Sequence, residues 1–490
     1  MLIQAEQRQK ALVRKLVGLR ESAAPDFQAA STGRRFYGWQ TSGAGVNQTV
    51  LSSAITLRDR CRDAVRNNAV ANRAVRSFVA NAIGTGIKPQ SLHPDPEVRR
   101  LIHKLWSRWV DESDSTGQSD FYGLQSLALT SMLESGEAFA RMRPRRMGEM
   151  EVPLQIQLIE ADNCPIDLTQ TRGANQIRMG IEFNPIDRIV AYHMYRYHPA
   201  DLIISGQINP LPVPVPAVSV AHLFEPMRPG QVRGLPRLAP VLARLYDIEQ
   251  YNDAELQRKK TAALVAGFVT KSDLAASVAG EGSLIDGIKT AVWEPGQLIE
   301  LLPGEDVKFS EPSDVGDNYE RFEKAQLRKI AAGVGLTYEQ LTGDLSDVNY
   351  SSIRAGLVEL RRAMEAFQHQ VVVHRLCRPI WAAWLEQAAL AGAIDAADYE
   401  ANRWDYLAVK WIPQGWQWVD PEKEIRAAKE AIRAGLTTRT EVIASTGYDP
   451  EEIDAEWAAD RTRATALGNV YETDPAQDAD RITSDGGNQQ

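Results

Sequence analysis

The stretch HLFEPMRPGQVRGLPRLAPVLARLYDIEQYNDAEL, residues 222–256, carries the strongest indication of the fold. It begins inside an apolar run, 218–224, that predicts a β-strand. Glycine and proline residues follow and predict a turn. After Pro236 the pattern becomes helical, and we predict a helix that reaches about residue 266. This stretch therefore marks a boundary between a mixed part of the chain and a helical part.

On the N-terminal side, helical patterns come first. They cover about 52–83, a segment that begins near Pro96, and 122–135. Gly84 lies where a glycine that ends a helix is expected. The first residues, up to about Gly45, are polar after a short charged helical pattern and predict a mobile arm. We therefore predict three helices before the first strands.

Strand patterns follow these helices. Leu154, Ile156 and Leu158 alternate with glutamines, which gives the segment one apolar face. Runs at 179–183 and 189–197 flank Asn184-Pro185, which predicts a turn between paired strands. Alternate residues from 210 to 216 are proline, and this excludes a helix or a central strand. We predict an extended connector there, and a mixed α/β part that ends with the strand 218–224.

On the C-terminal side, a helix is predicted over 317–334 and a loop over 335–350. The next segment has apolar residues at alternating steps of four and three, a heptad spacing that predicts a long helix packed against other helices. These residues are Ile353, Leu357, Leu360, Met364, Phe367 and Val371.

The last part of the chain is helical again. Asp420-Pro421 and Asp449-Pro450 each predict a helix start, because aspartate caps free amides and proline fits the first turn. Residues beyond about 471 are polar and are predicted to be disordered. Four tryptophans precede these helices and are interpreted as packed core. They are Trp404, Trp411, Trp416 and Trp418.

Composition excludes several classes of protein. The chain has 490 residues, 44% hydrophobic and 24% charged, which indicates about three globular units rather than disorder. Its net charge of -9 is opposite to the basic excess of proteins that hold DNA tightly. Three scattered cysteines argue against a disulfide framework or a zinc module and fit a reducing cytoplasm. No signal peptide or membrane-spanning run is predicted.

The sequence contains few motifs that would indicate catalysis or ligand binding. The nearest is GSLIDGIKT, residues 282–290, but Ile288 separates the second glycine from Lys289, which displaces the lysine of a phosphate loop. We interpret this segment as a surface loop with a helical turn. His369 and His374 are five residues apart on a predicted helix, so they would point about 140° apart. We predict no catalytic residue, no metal site and no cofactor.

Several stretches, in order along the chain, resemble the lambda-type family of bacteriophage portal proteins. They are RNNAVANRAVRSFVANAIGTGIKPQS (66–91), ESGEAFARMR (134–143) with its Gly-Glu-aromatic element, GIEFNPIDRIVAYHMYRYHP (180–199), the opening stretch with Arg-Pro-Gly-Gln and Arg-Gly-Leu-Pro, and AAGVGLTYEQLTGDLSDVNYSSIRAGLVELRR (331–362). Together they span most of residues 50–460.

The resemblance implies a portal fold of the α+β class. Its parts would be an N-terminal arm (1–49), a mixed α/β wing (50–235), two stem helices (236–266 and 317–335) around a clip (267–316), a tunnel loop (336–352), a long kinked helix (353–391), a helical crown region (392–470) and a disordered tail (471–490). Because the heptad stripe has few obvious partners within one chain, we expect neighbouring subunits of a ring to cover it.

The function implied is a dodecameric ring at the head vertex of the virion, through which double-stranded DNA is packaged and ejected. Large terminase, major capsid protein, scaffolding protein and a head–tail adaptor would be its partners, with assembly in the host cytoplasm and no membrane. The acidic balance would let the duplex slide, since each phosphate contact adds affinity. It would not be an enzyme. The residues expected in the channel are Thr342, Asp344, Asp347, Asn349, Tyr350 and Arg354, with Lys324 and Lys329 on a stem helix.

Two other functions stay open on the sequence alone. One is a different structural head or head–tail adaptor protein, which rings with an open central hole would exclude. The other is a nucleic-acid-processing enzyme, for which the displaced Lys289 is the only sign.

Overall fold

The structure is a computed structural model of the 490-residue chain. It describes residues 34, 37–39, 41–201, 211–263, 267–271, 283–285, 288–290, 305–309, 318–347, 349–416 and 420–469, with the backbone alone for those that fall within 261–318 and 350–352. The chain divides into two compact units, Met1–Thr49 and Val50–Gln490. The second unit combines helices with small sheets, so the predicted α+β class is confirmed.

Four helices lie between residues 46 and 135: α1 (Val46–Asn67), α2 (Ala69–Ala82), α3 (Pro96–Glu112) and α4 (Phe121–Ser135). A short strand, Lys88–Ser91, lies between α2 and α3, so the prediction that all helices of this part precede the first strand is wrong. The single helix predicted over 52–83 is therefore two helices. The break lies at Asn68, whose side chain accepts a hydrogen bond from the Ala71 amide at 3.0 Å and caps α2. Gly84 has a φ of 55° just beyond α2, as predicted for a glycine that ends a helix.

Two sheets join distant parts of the sequence. β1 (Lys88–Ser91) pairs with β14 (Val409–Ile412), and a three-stranded antiparallel sheet has the order β3 (Leu154–Glu160), β2 (Glu137–Pro144), β9 (Val220–Phe224). The strand predicted around 154–158 is confirmed. Its Leu154 and Ile156 are buried, whereas the glutamines between them are partly exposed.

A five-stranded antiparallel sheet follows chain order: β4 (Gln170–Arg172), β5 (Asn175–Arg178), β6 (Ile181–Phe183), β7 (Ile189–Met194) and β8 (Val213–Pro216). The predicted turn between β6 and β7 is confirmed, since the Asn184 side chain accepts the amides of Ile186 and Arg188 at 3.2 and 2.9 Å. The proline-rich connector is extended, but 213–216 is a paired strand. Prolines are tolerated there because β8 lies at the sheet edge.

The helices predicted as a pair are α5 (Leu242–Ala263) and α6 (Asn318–Val334). They touch through Tyr251 and Phe322, whose ring centroids are 5.0 Å apart. The predicted start at Pro236 is wrong. Residues 237–241 form turns in which the Ala239 amide bonds the Pro236 carbonyl at 3.1 Å, and the helix begins only after Pro240, which has no amide hydrogen to donate.

Short strands lie between these two helices. β10 (Gly267–Lys271) pairs with β13 (Glu305–Phe309), and β11 (Ser283–Ile285) pairs with β12 (Ile288–Thr290). The helical turn predicted within 282–290 is therefore wrong. Leu284 pairs with Lys289 across a hairpin, which puts the lysine on a strand instead of near the start of a helix.

A long helical segment follows the short helix α7 (Tyr338–Thr342). It consists of α8 (Tyr350–Phe367), a π-helical segment (Gln368–Cys377) and α9 (Arg378–Leu390). The π-helical segment precedes Pro379, whose ring lacks an amide hydrogen and clashes with ordinary helical bonding. It also changes the relation of His369 to His374: residues five apart in a π-helix lie on the same side, so the predicted angle of 140° is wrong.

The heptad stripe is largely covered inside the chain. Leu360, Met364, Phe367 and Val371 are at most 8% exposed, and the Phe367 ring meets Phe78 of α2 edge-to-face at 5.1 Å. The expectation that neighbouring subunits must cover this stripe is therefore wrong for its C-terminal half. Packing between elements distant in sequence supplied partners that the pattern does not reveal.

Two cores hold the second unit together. The larger one joins α2, α3 and α4 to the long helical segment, and the Trp106 ring lies 5.1 Å from both Trp381 and Trp384 of α9. The smaller one lies between the two larger sheets, around Phe139 and Tyr192. Large aromatic rings in both cores contribute much of the buried apolar area.

The C-terminal part contains α10 (Ala396–Ala401), α11 (Arg403–Leu407), α12 (Pro421–Arg433), α13 (Arg439–Ser445) and α14 (Pro450–Leu467). Both predicted helix starts are confirmed, because Asp420 and Asp449 cap α12 and α14. Trp404 is 84% exposed, so the prediction of packed core is wrong for this residue, and Trp418 lies outside the described residues. Among the described helices none has the length and apolar character to span a membrane.

Candidate functional site

The segment predicted as a tunnel loop contains the short helix α7, which the sequence analysis missed. Thr337 caps this helix: its hydroxyl accepts the Gln340 amide at 3.3 Å, and the Gln340 side chain accepts the Thr337 amide at 3.4 Å. The pattern Thr-x-x-Gln is a signature of such a capping box. Gly343, with a φ of 79°, ends the helix and turns the chain into the loop that precedes α8.

Lys324 of α6 contacts the loop that precedes α8. Its ammonium forms an ion pair with Asp347 and lies 3.8 Å from Asp344. The Tyr338 hydroxyl donates to Asp344 at 3.1 Å, and the ammonium lies 5.4 Å from the Tyr338 ring. Arg328, one turn further along α6, lies 5.5 Å from the same ring. Two carboxylates and one ring therefore surround a single lysine.

These contacts change the acid–base properties of the cluster. The hydrogen bond to Asp347 raises the pKa of Lys324. Hydrogen bonds from Ser346, with help from Tyr338 and Lys324, lower the pKa of Asp344 to about 2. Partial burial and the bond to Asp344 raise the pKa of Tyr338. The raised pKa of Lys324 and the lowered pKa of Asp344 keep these two groups charged at neutral pH.

The other predicted residues have separate roles. The Thr342 hydroxyl donates to the Tyr338 carbonyl at 2.8 Å and accepts the Asp344 amide at 3.1 Å, which shapes the end of α7. Asn349 is exposed, and its carbonyl begins the bonding of α8. The side chain of Tyr350 lies outside the described residues.

Arg354 and Lys329 lie apart from the cluster. Arg354 is exposed and close to Asp420, whose pKa is lowered first by Lys423 and further by the charge of Arg354. Lys329 is exposed, five residues beyond Lys324 and so about 140° around α6. The structure thus unites Lys324, Asp344 and Asp347 but not the whole predicted set.

A cavity of about 750 Å³ lies beneath the loop, between α2, α6, α7 and α8. Arg73 and Arg76 of α2 border it opposite the Lys324 cluster. The Arg73 guanidinium donates to the Gln340 carbonyl at 3.3 Å, which fixes α7 against α2. The sequence analysis missed these arginines because nothing local connects α2 to a loop more than two hundred residues later.

A second charged cluster lies in the predicted wing, where Glu160, Asp162 and His198 approach one another at metal-ligand distances. Arginines already neutralise these carboxylates: Arg62 donates to Glu160 at 2.8 Å and to Asp162 at 2.7 Å, and Arg58 donates to Asp162 at 3.0 Å. Guanidinium groups therefore occupy the positions where a cation would bind.

The family model described as phage portal protein, lambda family, matches residues 32–368. The probable portal protein of Halomonas phage phiHAP-1 is 28% identical over 466 residues, covering 90% of this chain and 87% of that protein. The portal protein of Escherichia phage N15 is 24% identical, with 92% of both chains covered, and portal protein B of Escherichia phage lambda is 22% identical, also with 92% of both covered.

Solved structures match this chain with lower sequence identity than these relatives. A chain in the neck of an empty gene transfer agent particle, computed with C6 symmetry, matches with a TM-score of 0.44 and 16% identity over 80% of this chain and 93% of that chain. A portal protein of the HK97 family from Corynebacterium diphtheriae matches with a TM-score of 0.31 and 12% identity over 75% of this chain and 96% of that chain.

Proposed function

The chain belongs to the lambda family of phage portal proteins, and from this premise we propose that twelve copies form a ring around a channel for double-stranded DNA. It is a structural component of the head vertex and not an enzyme. The single observation that carries the proposal is the family match over residues 32–368.

We propose that the loop around Asp344 and Asp347 faces the duplex in the channel. Asp347 is 66% exposed, and Asn349 next to it is exposed as well. The positive charge of Lys324 is held between two carboxylates, so the surface offers little net attraction to phosphate. Since each phosphate contact adds affinity, a surface of this kind would let DNA slide.

Exposed cations outside the Lys324 cluster would supply brief contacts. Lys329 on α6 and Arg354 on α8 are both exposed, and neither has a carboxylate within ion-pair distance among the described residues. A few such contacts would centre the duplex without holding it, because single exposed ion pairs are weak.

The same proposal extends to partners and location. The clip between α5 and α6 would dock the large terminase during packaging and the head–tail adaptor afterwards. The wing would contact the major capsid protein and, during assembly in the host cytoplasm, the scaffolding protein. These assignments rest on the family alone.

Ring formation is tested by electron microscopy of the purified full-length chain. We expect rings with a central hole wide enough for a duplex. If the chain remains monomeric under all assembly conditions, the proposed channel is wrong.

Contact with DNA is tested by the variant Asp347→Lys. It replaces a carboxylate by a cation, so assembled rings should bind duplex DNA more tightly and package it more slowly than wild-type rings. The matched control is Glu149→Lys in the exposed turn between β2 and β3, which makes the same change of charge elsewhere. Equal DNA affinity for the two variants would contradict the placement of the loop in the channel.

A further inference from the structure

A groove of about 1400 Å³ lies in the predicted wing, far from the loop in sequence. Residues from α1, β2, β3, β7 and β8 line it. Although the chain has a net charge of -9, five arginines, Arg62, Arg66, Arg141, Arg143 and Arg196, border this groove against three carboxylates, Glu134, Glu160 and Asp201. A concentration of positive charge in an acidic protein indicates a site for an anionic partner.

Four of these five arginines have no carboxylate partner within ion-pair distance among the described residues. Arg62 is neutralised by Glu160 and Asp162, as described above. Arg143 donates only to the neutral side chain of Gln157, at 2.8 Å, and Arg196 lies over the Tyr197 ring at 5.3 Å. For Arg66 and Arg141 the structure records no hydrogen bond and no ion pair.

Two of the arginines that border the groove lie on the same strand. Arg141 and Arg143 are two residues apart on β2, so both project from the same face of the sheet. Both are partly buried. Burial, and then the charge of Arg143, lowers the pKa of Arg141. An anion between these two side chains would relieve their repulsion.

The remaining lining favours a polypeptide over a nucleic acid. Val65, Leu158, Ile159, Met194 and Val215 contribute apolar surface between the arginines. A duplex backbone presents phosphate and sugar to a protein, whereas a peptide presents carboxylates and apolar side chains in alternation. A mixed concave surface therefore fits an acidic peptide better than duplex DNA.

The chain itself carries a suitable segment. Residues 470–490 include Glu472, Asp474, Asp478, Asp480 and Asp485 against the single cation Arg481. Described residues end at Asn469, just after α14. A segment of this length can reach about 70 Å when extended. By contrast, residues 1–33 carry more basic than acidic side chains and cannot complement arginines.

We propose that the arginine groove binds the acidic C-terminal segment 470–490 of this polypeptide, with carboxylates between Arg141 and Arg143. The proposal does not depend on the ring or on the channel. Occupation of the groove by this segment would neutralise a basic surface that DNA or another acidic protein would otherwise contact.

The test uses the full-length chain with a spin label at Thr483→Cys. The three native cysteines are buried, and burial raises the pKa of Cys61 to about 12, so the added cysteine reacts selectively. At low salt we expect a slowly tumbling label. In the variant Arg141→Gln/Arg143→Gln the ratio of immobile to mobile label should fall about tenfold, the loss expected for two partly exposed ion pairs.

Two further variants make the test specific. Arg426→Gln/Arg433→Gln removes two exposed arginines of α12 and should leave the label immobile. Asp474→Asn/Asp478→Asn/Asp480→Asn alters only the segment, so it should release the label even if the groove variant fails to fold. A label that is mobile in the wild-type chain at low salt overturns the proposal. So does duplex DNA that binds the wild-type groove, fails to bind the groove variant and leaves the label unchanged.

Discussion

Arg233 and Glu137 form a completely buried ion pair in the predicted wing. The Arg233 Nε lies 2.8 and 2.9 Å from the two carboxylate oxygens, and Nη2 lies 2.5 Å from one of them. The remaining donors of Arg233 bond backbone carbonyls, including that of Met179 at 2.6 Å. Burial opposes the charge on Glu137, but Arg233 and the hydrogen bond with His222 outweigh it and hold the pKa of Glu137 well below its usual range.

This pair joins two of the motifs that resemble the portal family. Glu137 belongs to the Gly-Glu-aromatic element, and Arg233 begins Arg-Gly-Leu-Pro. The glycine beside each charged residue lets the two backbones touch: a Cβ added to Gly234 would lie 2.0 Å from the Gly136 carbonyl oxygen. The two motifs therefore meet in one structural feature, the salt bridge between Glu137 and Arg233, which the adjacent glycines allow to form.

Replacement of Arg233 should destabilise the fold around this buried pair. In Arg233→Met the buried carboxylate of Glu137 loses its closest cation and keeps only Arg58, whose Nη2 lies 3.5 Å from it, so we expect the free energy of unfolding to fall by about 3–5 kcal/mol. Urea denaturation followed by circular dichroism measures the change. In the double variant Glu137→Gln/Arg233→Met the loss should be smaller than the sum of the single losses, because the two charges that neutralise each other are removed together.

The control for this prediction is Arg178→Met. Arg178 pairs with Asp187 at 2.7 Å, but the two side chains are 41% and 71% exposed, so the loss should stay below about 1 kcal/mol. Equal losses of unfolding free energy for Arg178→Met and Arg233→Met would show that the buried ion pair contributes no more to stability than an exposed one.

Local features of this fold can be read from the sequence, whereas long-range contacts cannot. The caps Asp420 and Asp449 and the turn at Asn184 depend on neighbours a few residues away, and all three are predicted correctly. The burial of Leu360 and Met364 depends on helices far away in sequence, so the heptad pattern predicts an apolar face but not what covers it. The edge position of β8 likewise depends on its pairing with β7.

The candidate site also combines local features that the sequence predicts with long-range contacts that it does not. Asp344, Asp347 and Lys324 are each predicted from the resemblance, but as members of two separate groups. Their union around one lysine depends on the glycine turns at Gly335 and Gly343, which fold the loop back onto α6. Tyr338 was missed, although the capping pattern that begins at Thr337 already places a helix there.

His222 should make the sheet that contains it sensitive to mild acid. Burial lowers the pKa of His222 below its usual value of 6.5 and outweighs the opposite effect of Glu137. The unfolded chain therefore binds a proton that the folded chain does not, so stability is complete above pH 6.5 and is lost as the pH falls below it. The slope is at most about 1.4 kcal/mol per pH unit. Urea midpoints measured from about pH 7.5 to 5.5 should fall, and less so in His222→Gln.

His103 should have the opposite effect on the pH dependence of stability and therefore serves as a control. Its hydrogen bond with Glu452, which joins α3 to α14 at 2.8 Å, raises the pKa of His103. This contribution is present below pH 6.5 and is lost as the pH rises. His103→Gln should therefore steepen the fall in stability under acid. If both histidine variants change the pH profile in the same direction, one of the two assignments is wrong.

Gln368 should be essential to the junction between α2 and the π-helical segment. Its buried side chain donates to the Ala82 carbonyl at 2.9 Å. Gln368→Leu leaves that carbonyl without this donor, so the free energy of unfolding should fall by about 1–3 kcal/mol. The control, Gln370→Leu, changes an exposed glutamine of the same segment and should have little effect. Equal losses in urea denaturation would contradict a role for this bond.

Lys324 should hold the loop before α8 in place. In Lys324→Met the carboxylates of Asp344 and Asp347 lose the cation between them and repel each other, so the loop should open more often. Hydrogen exchange of the amides in 343–347 should become about three- to tenfold faster. Lys329→Met removes the same charge from an exposed position on the same helix and should leave these amides unchanged. Faster exchange in both variants would mean that the net charge of α6, rather than the Lys324 ion pairs, controls the loop.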